Sequence, residues 1–241
     1  MEKNVFIQGL FEAFKANNLE DTLNGDTAEK LYQFSLILKE TNERFNLTAI
    51  LDDEGIILKH FVDCASIIKH IPSNASIIDV GCGAGFPSLP IAILRTDVNV
   101  TSLDSTAKKI NFINETANDL GLTNINATVS RAEDFAKSNR EKYDVAISRA
   151  VARLNILDEL CLPLVKAGGL FVAMKASKGD EEYAEAKNGI EKLGAELDKS
   201  FKLSLSFRES FVEREIFIFK KIKATPVIYP RNYSQISKKP L

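Results

Sequence analysis

The chain has 241 residues, of which 45% are hydrophobic and 27% charged, and its formal net charge is −2. Such a composition describes one large α/β domain or a domain with an appendage, and it excludes a disordered or fibrous chain. No apolar run reaches the roughly 20 residues of a membrane helix, and three scattered cysteines with only two histidines exclude a disulfide framework and a multi-histidine metal site.

The first 72 residues predict helices. Phe6, Leu10 and Phe14 recur at helical spacing. In "DTAEKLYQFSLILKETNERF", Asp26 is the expected N-cap with Glu29 three residues on, and Leu31, Phe34 and Leu38 line one face. "EGIILKHFVDCASIIKHI" carries a stripe of Ile57, Phe61, Ala65 and Ile68. Within it His60 and Asp63 stand at i,i+3, either as a local hydrogen-bonded pair or as contacts to a substrate. "IPSNA" (71–75) closes this N-terminal helical extension, 1–72. The start of the chain mixes charges into its apolar positions and has no small-residue cleavage site. With its unpaired cysteines, that places the expected compartment in the cytoplasm.

From residue 73 the period changes. "ASIIDV", "VNVTSLD", "INATVS", "YDVAISR" and "GLFVAMK" read as short β-branched strands, with helical stretches at about 86–95, 106–120, 154–166 and 180–194. This alternation predicts a mostly parallel sheet covered on both faces. "KSFKLSLSF" and "REIFIFKKI" follow each other without a helix, which predicts an antiparallel pair. The expectation is an α/β fold of the Rossmann-like class I methyltransferase type over 73–223. Its sheet has seven strands, mostly parallel, with one antiparallel. A basic tail, 224–241, follows. Residues 199–241 carry ten basic and three acidic side chains, a net of +7. They read as a polyanion-binding surface or as a solvated basic edge.

"IIDVGCGAGFPS" (77–88) places Gly81, Gly83 and Gly85 in the first strand–helix turn. In open α/β sheets ligands sit beyond the carboxyl ends of the strands, and glycines let a backbone approach them closely. The sixth position is Phe86, so the GxGxxG of a nicotinamide dehydrogenase is absent. The pattern suits S-adenosylmethionine, which has no pyrophosphate. Asp104 ends the second strand 21 residues after Gly83. It can accept hydrogen bonds from both ribose hydroxyls, or cap the next helix; the glycine loop upstream favours the ribose. "SRAEDF" (130–135) reads as a loop whose backbone at Ala132 and Glu133 would meet the adenine edge. After "YDVAISRAVARL" there is neither an Asp/Asn-Pro-Pro-aromatic motif nor a cysteine nucleophile. The acceptor atom is therefore expected to be nucleophilic already. Arg149 reads as a buried ion pair or as facing cofactor or RNA phosphate. Lys175 could bind phosphate with Arg131 and Arg149, or lie solvated.

With "NLTAI" (46–50), "KHFVDCASI" (59–67), "DVGCGAGFPSLPIAI" (79–93), "LDSTAKKINFI" (103–113), "SRAED" (130–134), "ISRAVARLNIL" (147–157) and "YPR" (229–231), nearly the whole chain resembles one family. This is the small-subunit ribosomal RNA guanine-N7 methyltransferases, also called glucose-inhibited division protein B. The resemblance implies S-adenosylmethionine as donor and N7 of a guanine in the decoding-region loop as acceptor. It implies cofactor contacts at Gly81, Phe86, Ala132, Glu133 and Arg149, beside the candidates Gly83, Gly85 and Asp104. Arg149, Lys175, Arg131 and His60 remain the candidates for positioning substrate, and no residue is assigned as catalytic base. The implied partner is small-subunit ribosomal RNA or a ribosomal particle, with neither membrane nor metal. Cys82 stands where the family usually has Thr, and Ser88 where it usually has Gly. The alternatives are a methyltransferase for another RNA or a small molecule, and a non-catalytic RNA-binding module.

Overall fold

The computed structural model describes residues 1–176 and 179–241. Helices α1 (Lys3–Ala16) and α2 (Gly25–Asn42) open the chain, followed by α3 (Asp53–Gly55), a π-helical stretch (Ile56–Val62) and α4 (Asp63–Ala65) that run on without a break. Strands β1 (Ser76–Val80), β2 (Asn99–Asp104), β3 (Ile125–Val129), β4 (Tyr143–Arg149) and β5 (Val165–Lys175) then alternate with α5 (Ser88–Leu94), α6 (Ala107–Asp119), α7 (Ala132–Asn139) and α8 (Leu154–Cys161). After α9 (Gly179–Lys192) come β6 (Ala195–Phe207), β7 (Ser210–Lys221) and α10 (Tyr233–Lys238).

The seven strands form one sheet in the order β3-β2-β1-β4-β5-β7-β6. The pairs among β1 to β5 are parallel, and β7 is antiparallel to both of its neighbours. The expected architecture is therefore the one found. Alternate residues explain how the sheet is covered. Ile78, Ala146, Ala173, Phe217 and Phe219 share a core with Leu157 of α8 and Ile190 of α9. Ile77, Val145, Ile147, Val172 and Ile218 face the other way, onto Ile67 and Ile91. The N-terminal helices form a third core, in which Phe34 and Phe61 meet Phe86, Leu89 and Ile113. Those helices are thus packed into the glycine-loop side of the sheet.

Four local expectations are corrected. α2 is capped by Asn24, not Asp26: the Asn24 side chain accepts from the Thr27 amide at 3.0 Å, and Thr27 Oγ1 accepts from the Asn24 amide at 2.9 Å. The segment after β3 is the helix α7 rather than a loop. Finally, residues 224–241 fold back as a strap. The Arg140 guanidinium donates to the carbonyls of Thr225, Pro226 and Tyr229, Arg231 pairs with the buried Glu159 at 2.6 Å, and Ile236 is fully buried. The basic count near the end of β7 is also not one surface. Lys221 is fully buried, donating to the Leu162 carbonyl at 2.6 Å and to Thr225 Oγ1 at 2.7 Å. Lys220 pairs with Leu170, five residues back along β5 from the Lys175–Glu215 pair at the ligand edge.

Candidate active site

β1 ends at the glycine loop. Gly81, Gly83 and Gly85 take φ of +77°, +57° and +82°, the left-handed region that side chains disfavour. Two of them also have no room. A Cβ on Gly81 would lie 2.5 Å from Val151 Cγ2, and one on Gly85 would lie 2.5 Å from Leu89 Cδ1. Gly83 is different: a Cβ there would meet nothing within 4 Å. The loop is therefore folded tightly at its ends and faces open space at its centre.

Asp104 ties this loop to the next strand. Its Oδ2 accepts from the Gly83 amide at 3.2 Å, its Oδ1 accepts from the Thr106 amide at 2.9 Å, and Lys109 Nζ lies 3.6 Å away. One carboxylate thus holds both the glycine loop and the turn that leads into α6, whose N-cap is Thr106. Beneath the loop, buried Asp79 accepts from the Ser88 amide at 3.1 Å, while its Oδ1 and the Ser88 hydroxyl have no partner. Burial pushes Asp79 up to about 7. Cys82 is buried, and desolvation raises its thiol far above the ordinary range.

Two cavities meet at this point. One, of about 190 Å³, is lined by Leu103, Asp104, Ala132, Glu133, Val151 and Tyr233. The other, of about 360 Å³, is lined by Gly83, Phe86, His60, Thr48, Lys109 and Arg149. Gly81, Asp104 and Val151 belong to both, so Asp104 stands at the waist of one cleft. A third cavity, of about 400 Å³, shares Arg149, Ala150 and Val151 with the second and extends to Lys175, Glu182 and Arg214.

Arg149, the last residue of β4, is held on three sides. Nη1 donates to Asp63 Oδ2 at 2.8 Å and to the Lys59 carbonyl at 3.0 Å, and the guanidinium lies over the Phe86 ring at 5.3 Å. Asp63 is wholly buried and accepts a second cation, Arg214 Nε, at 3.0 Å. His60 stacks on Phe86 at 4.1 Å between ring centres, and its Nε2 lies 3.1 Å from Thr48 Oγ1. Burial, reinforced by neighbouring Arg149, brings the imidazole down to about 3, so it is neutral at physiological pH. The i,i+3 pairing of His60 with Asp63 does not occur. Asp63 faces the two arginines, and His60 approaches Arg149 instead, at 3.4 Å.

The other candidates divide. Ala132 and Glu133 open α7 and wall the smaller cavity. Arg131 is exposed at its rim, over the Tyr233 ring at 5.5 Å. Lys175 is buried rather than solvated, and two of its three donors are engaged: its Nζ donates to the Ala152 carbonyl at 2.7 Å and pairs with Glu182 at 2.7 Å. Sequence reasoning missed Arg214, Glu182, Thr48 and Tyr233. Arg214, Glu182 and Tyr233 reach the site from elements distant in sequence, so no spacing marks them, whereas Thr48 lies in the "NLTAI" segment, 12 residues before His60. Among the described residues, no group of three His, Cys, Asp or Glu stands ready for a metal, and no helix is long and apolar enough to cross a membrane.

Residues 27–210 match the model of a family described as rRNA small subunit methyltransferase G, GidB. A ribosomal RNA small subunit methyltransferase G from Desulforamulus reducens is 45% identical over 237 residues, covering 96% of this chain and 97% of the relative. One from Clostridium perfringens strain 13 is 45% identical over 222 residues, covering 90% and 92%. Among solved structures, M. jannaschii TYW2 in complex with AdoMet aligns with a TM-score of 0.55 at 15% identity, over 66% of this chain and 75% of that one. A putative methyltransferase from Bacillus halodurans aligns at 0.53 and 13%, over 67% and 99%. At such identities these two structures speak to the fold alone.

Proposed function

The chain belongs to the rRNA small subunit methyltransferase G family, and from that premise we propose that it methylates N7 of a guanine in small-subunit ribosomal RNA, with S-adenosylmethionine as donor. The observation that carries the reading is the waist of the cleft. Gly83 faces open space there, and its amide is bonded to a carboxylate at the end of the next strand. A cradle that a Cβ would fill, beside an acceptor for ribose hydroxyls, fits this cofactor.

In this reading Asp104 accepts from the ribose hydroxyls, and the backbone at Ala132 and Glu133 meets the adenine edge. Gly81, Gly83 and Gly85 let the loop pass close, Phe86 walls the other end, and Arg149 meets an anionic group there. The bound cofactor supplies an electrophilic sulfonium methyl. Guanine N7 is a lone-pair acceptor, so the chain needs no general base, and its residues act by alignment, charge placement and exclusion of water. Neutral His60 fits that role. A protonated imidazole stacked on Phe86 would set another cation beside Arg149, against a cationic cofactor. The reading divides the chain into a catalytic unit over 73–223, a helical extension over 1–72 that brings Thr48 and His60 to the cleft, and the strap over 224–241.

The test is methyl transfer from labelled cofactor to undermethylated small-subunit RNA, supplied naked and as a ribosomal particle, with the modified base mapped. Label at guanine N7 of that RNA supports the reading, and the better of the two forms identifies the partner. Transfer to another base, or none to either form, overturns it.

A further inference from the structure

The third cavity begins where the cofactor cleft ends, since both are bounded by Arg149, Ala150 and Val151. Its lining holds Asp63 between Arg149 and Arg214, and apart from these the ion pair Lys175–Glu182, with side chains only 8% and 17% exposed. Burying such a pair away from water is unfavourable unless its remaining donors and acceptors are used. Glu182 Oε2 takes both the Leu154 amide, at 2.8 Å, and Lys175 Nζ, at 2.7 Å. Oε1 takes no hydrogen bond among the described residues. An ammonium has three donors, and among the described residues Lys175 uses two of them, on Glu182 and the Ala152 carbonyl. The pair therefore presents one spare donor beside one spare acceptor in a cavity of about 400 Å³.

We infer that this cavity seats the acceptor base and that the Lys175–Glu182 pair reads its Watson–Crick edge, Lys175 donating to O6 and Glu182 accepting from N1–H and the N2 amine. The inference rests on the guanine-N7 reading above. Guanine carries an acceptor, O6, beside two donors, N1–H and N2–H2, and the wall carries the complementary donor and acceptor side by side. Adenine reverses the polarity: its N6 amine would face Lys175, and its N1 lone pair would face Glu182. Each mismatch leaves buried polar groups unpaired, which is how a built site rejects the wrong substrate. Gripping the O6–N1–N2 edge leaves N7 free, on another edge of the ring, to meet the methyl. The two contacts that tether Lys175 are what fix it for this task.

The test compares RNA carrying guanosine at the target position with the same RNA carrying inosine there, which lacks only the N2 amine. The readout is kcat/KM for wild type, Glu182→Gln and Glu182→Asp. Wild type should prefer guanosine by about 10- to 100-fold, the worth of one hydrogen bond to a charged group. The preference should fall to within about threefold in Glu182→Gln, whose amide can still accept from Leu154. A merely structural Glu182 would lower both rates and leave their ratio unchanged. Cofactor affinity measured by calorimetry shows which variants are folded, and either folded variant decides the matter. No preference in wild type, or a preference retained in a folded variant, overturns the inference. Absence of transfer from wild type to the guanosine RNA would instead overturn the methylation reading itself.

Discussion

Asp63→Asn keeps the shape of the side chain and removes one charge. The residue is wholly buried between two guanidiniums, Arg149 at 2.8 Å and Arg214 at 3.0 Å, whose own side chains are 15% and 18% exposed. Removing one partner of a buried ion pair costs about 3–5 kcal/mol, because the other charge is left uncompensated. Here both cations keep a second acceptor, the Lys59 carbonyl for Arg149 and the Glu213 carbonyl for Arg214, which sets the expected loss near the lower end, about 3 kcal/mol. For a chain of this size that lowers Tm by about 6–12 °C. Cofactor affinity should fall too, since Arg149 loses the contact that orients it. Scanning calorimetry gives the first quantity and calorimetric titration with S-adenosylmethionine the second. Asp134→Asn is the control: its pair with Lys137 is more than half exposed on both sides, so about 0.5 kcal/mol or less is expected. If Asp63→Asn melts within 2 °C of wild type, the buried cluster does not have the energetic weight assigned to it.

Asp104→Ala should weaken S-adenosylmethionine binding by about 1.5–3 kcal/mol, the range for hydrogen bonds to a charged group; a folded variant with wild-type affinity would leave Asp104 only its bonds to the Gly83 and Thr106 amides. A Cβ at Gly83 would meet no protein atom within 4 Å, but Gly83→Val must hold φ near +57°, so we expect about 1–2 kcal/mol of lost stability with cofactor binding abolished, and unchanged binding in a titration would make the loop a mere turn. For His60, burial holds the folded-state value at about 3 against 6.5 in the unfolded chain. Its contribution to stability is therefore full above pH 6.5 and lost as pH falls toward 3, at up to about 1.4 kcal/mol per pH unit. His60→Phe should flatten that stretch of the Tm–pH curve, and curves of equal slope contradict the assignment. The single-turnover methylation rate should vary little between about pH 8 and 9, above the value of about 7 to which burial pushes Asp79, since the attacking lone pair needs no deprotonation; a tenfold rise per pH unit there would count against N7.

The sheet was legible because its signals are local. β-branched runs alternate with helical spacing, and the missing crossover before the last strand marks the antiparallel turn. The glycine loop and Asp104 were legible for the same reason, each lying at the end of a strand that can be read by itself. α7 was not: its eight residues bury only Ala132, Glu133 and Ala136, too few to reveal a helical period. The cap of α2 was misplaced by two residues because Asn24 and Asp26 both satisfy the composition of a cap, and geometry alone chooses. His60 and Asp63 were paired on ordinary helical spacing, whereas their segment runs through a π-helix and their partners come from β4 and β7. Net charge could not separate Lys221, which points into the core, from Lys220, which does not.

Protein synthesis proceeds from the amino end, and Tyr233 is made after every other residue that lines the cleft. The last strand of the sheet, β7, ends at Lys221, ahead of the strap that carries Tyr233 and is held through Arg140, Arg231 and Ile236. A growing chain thus acquires the floor of the smaller cavity early and one of its walls last.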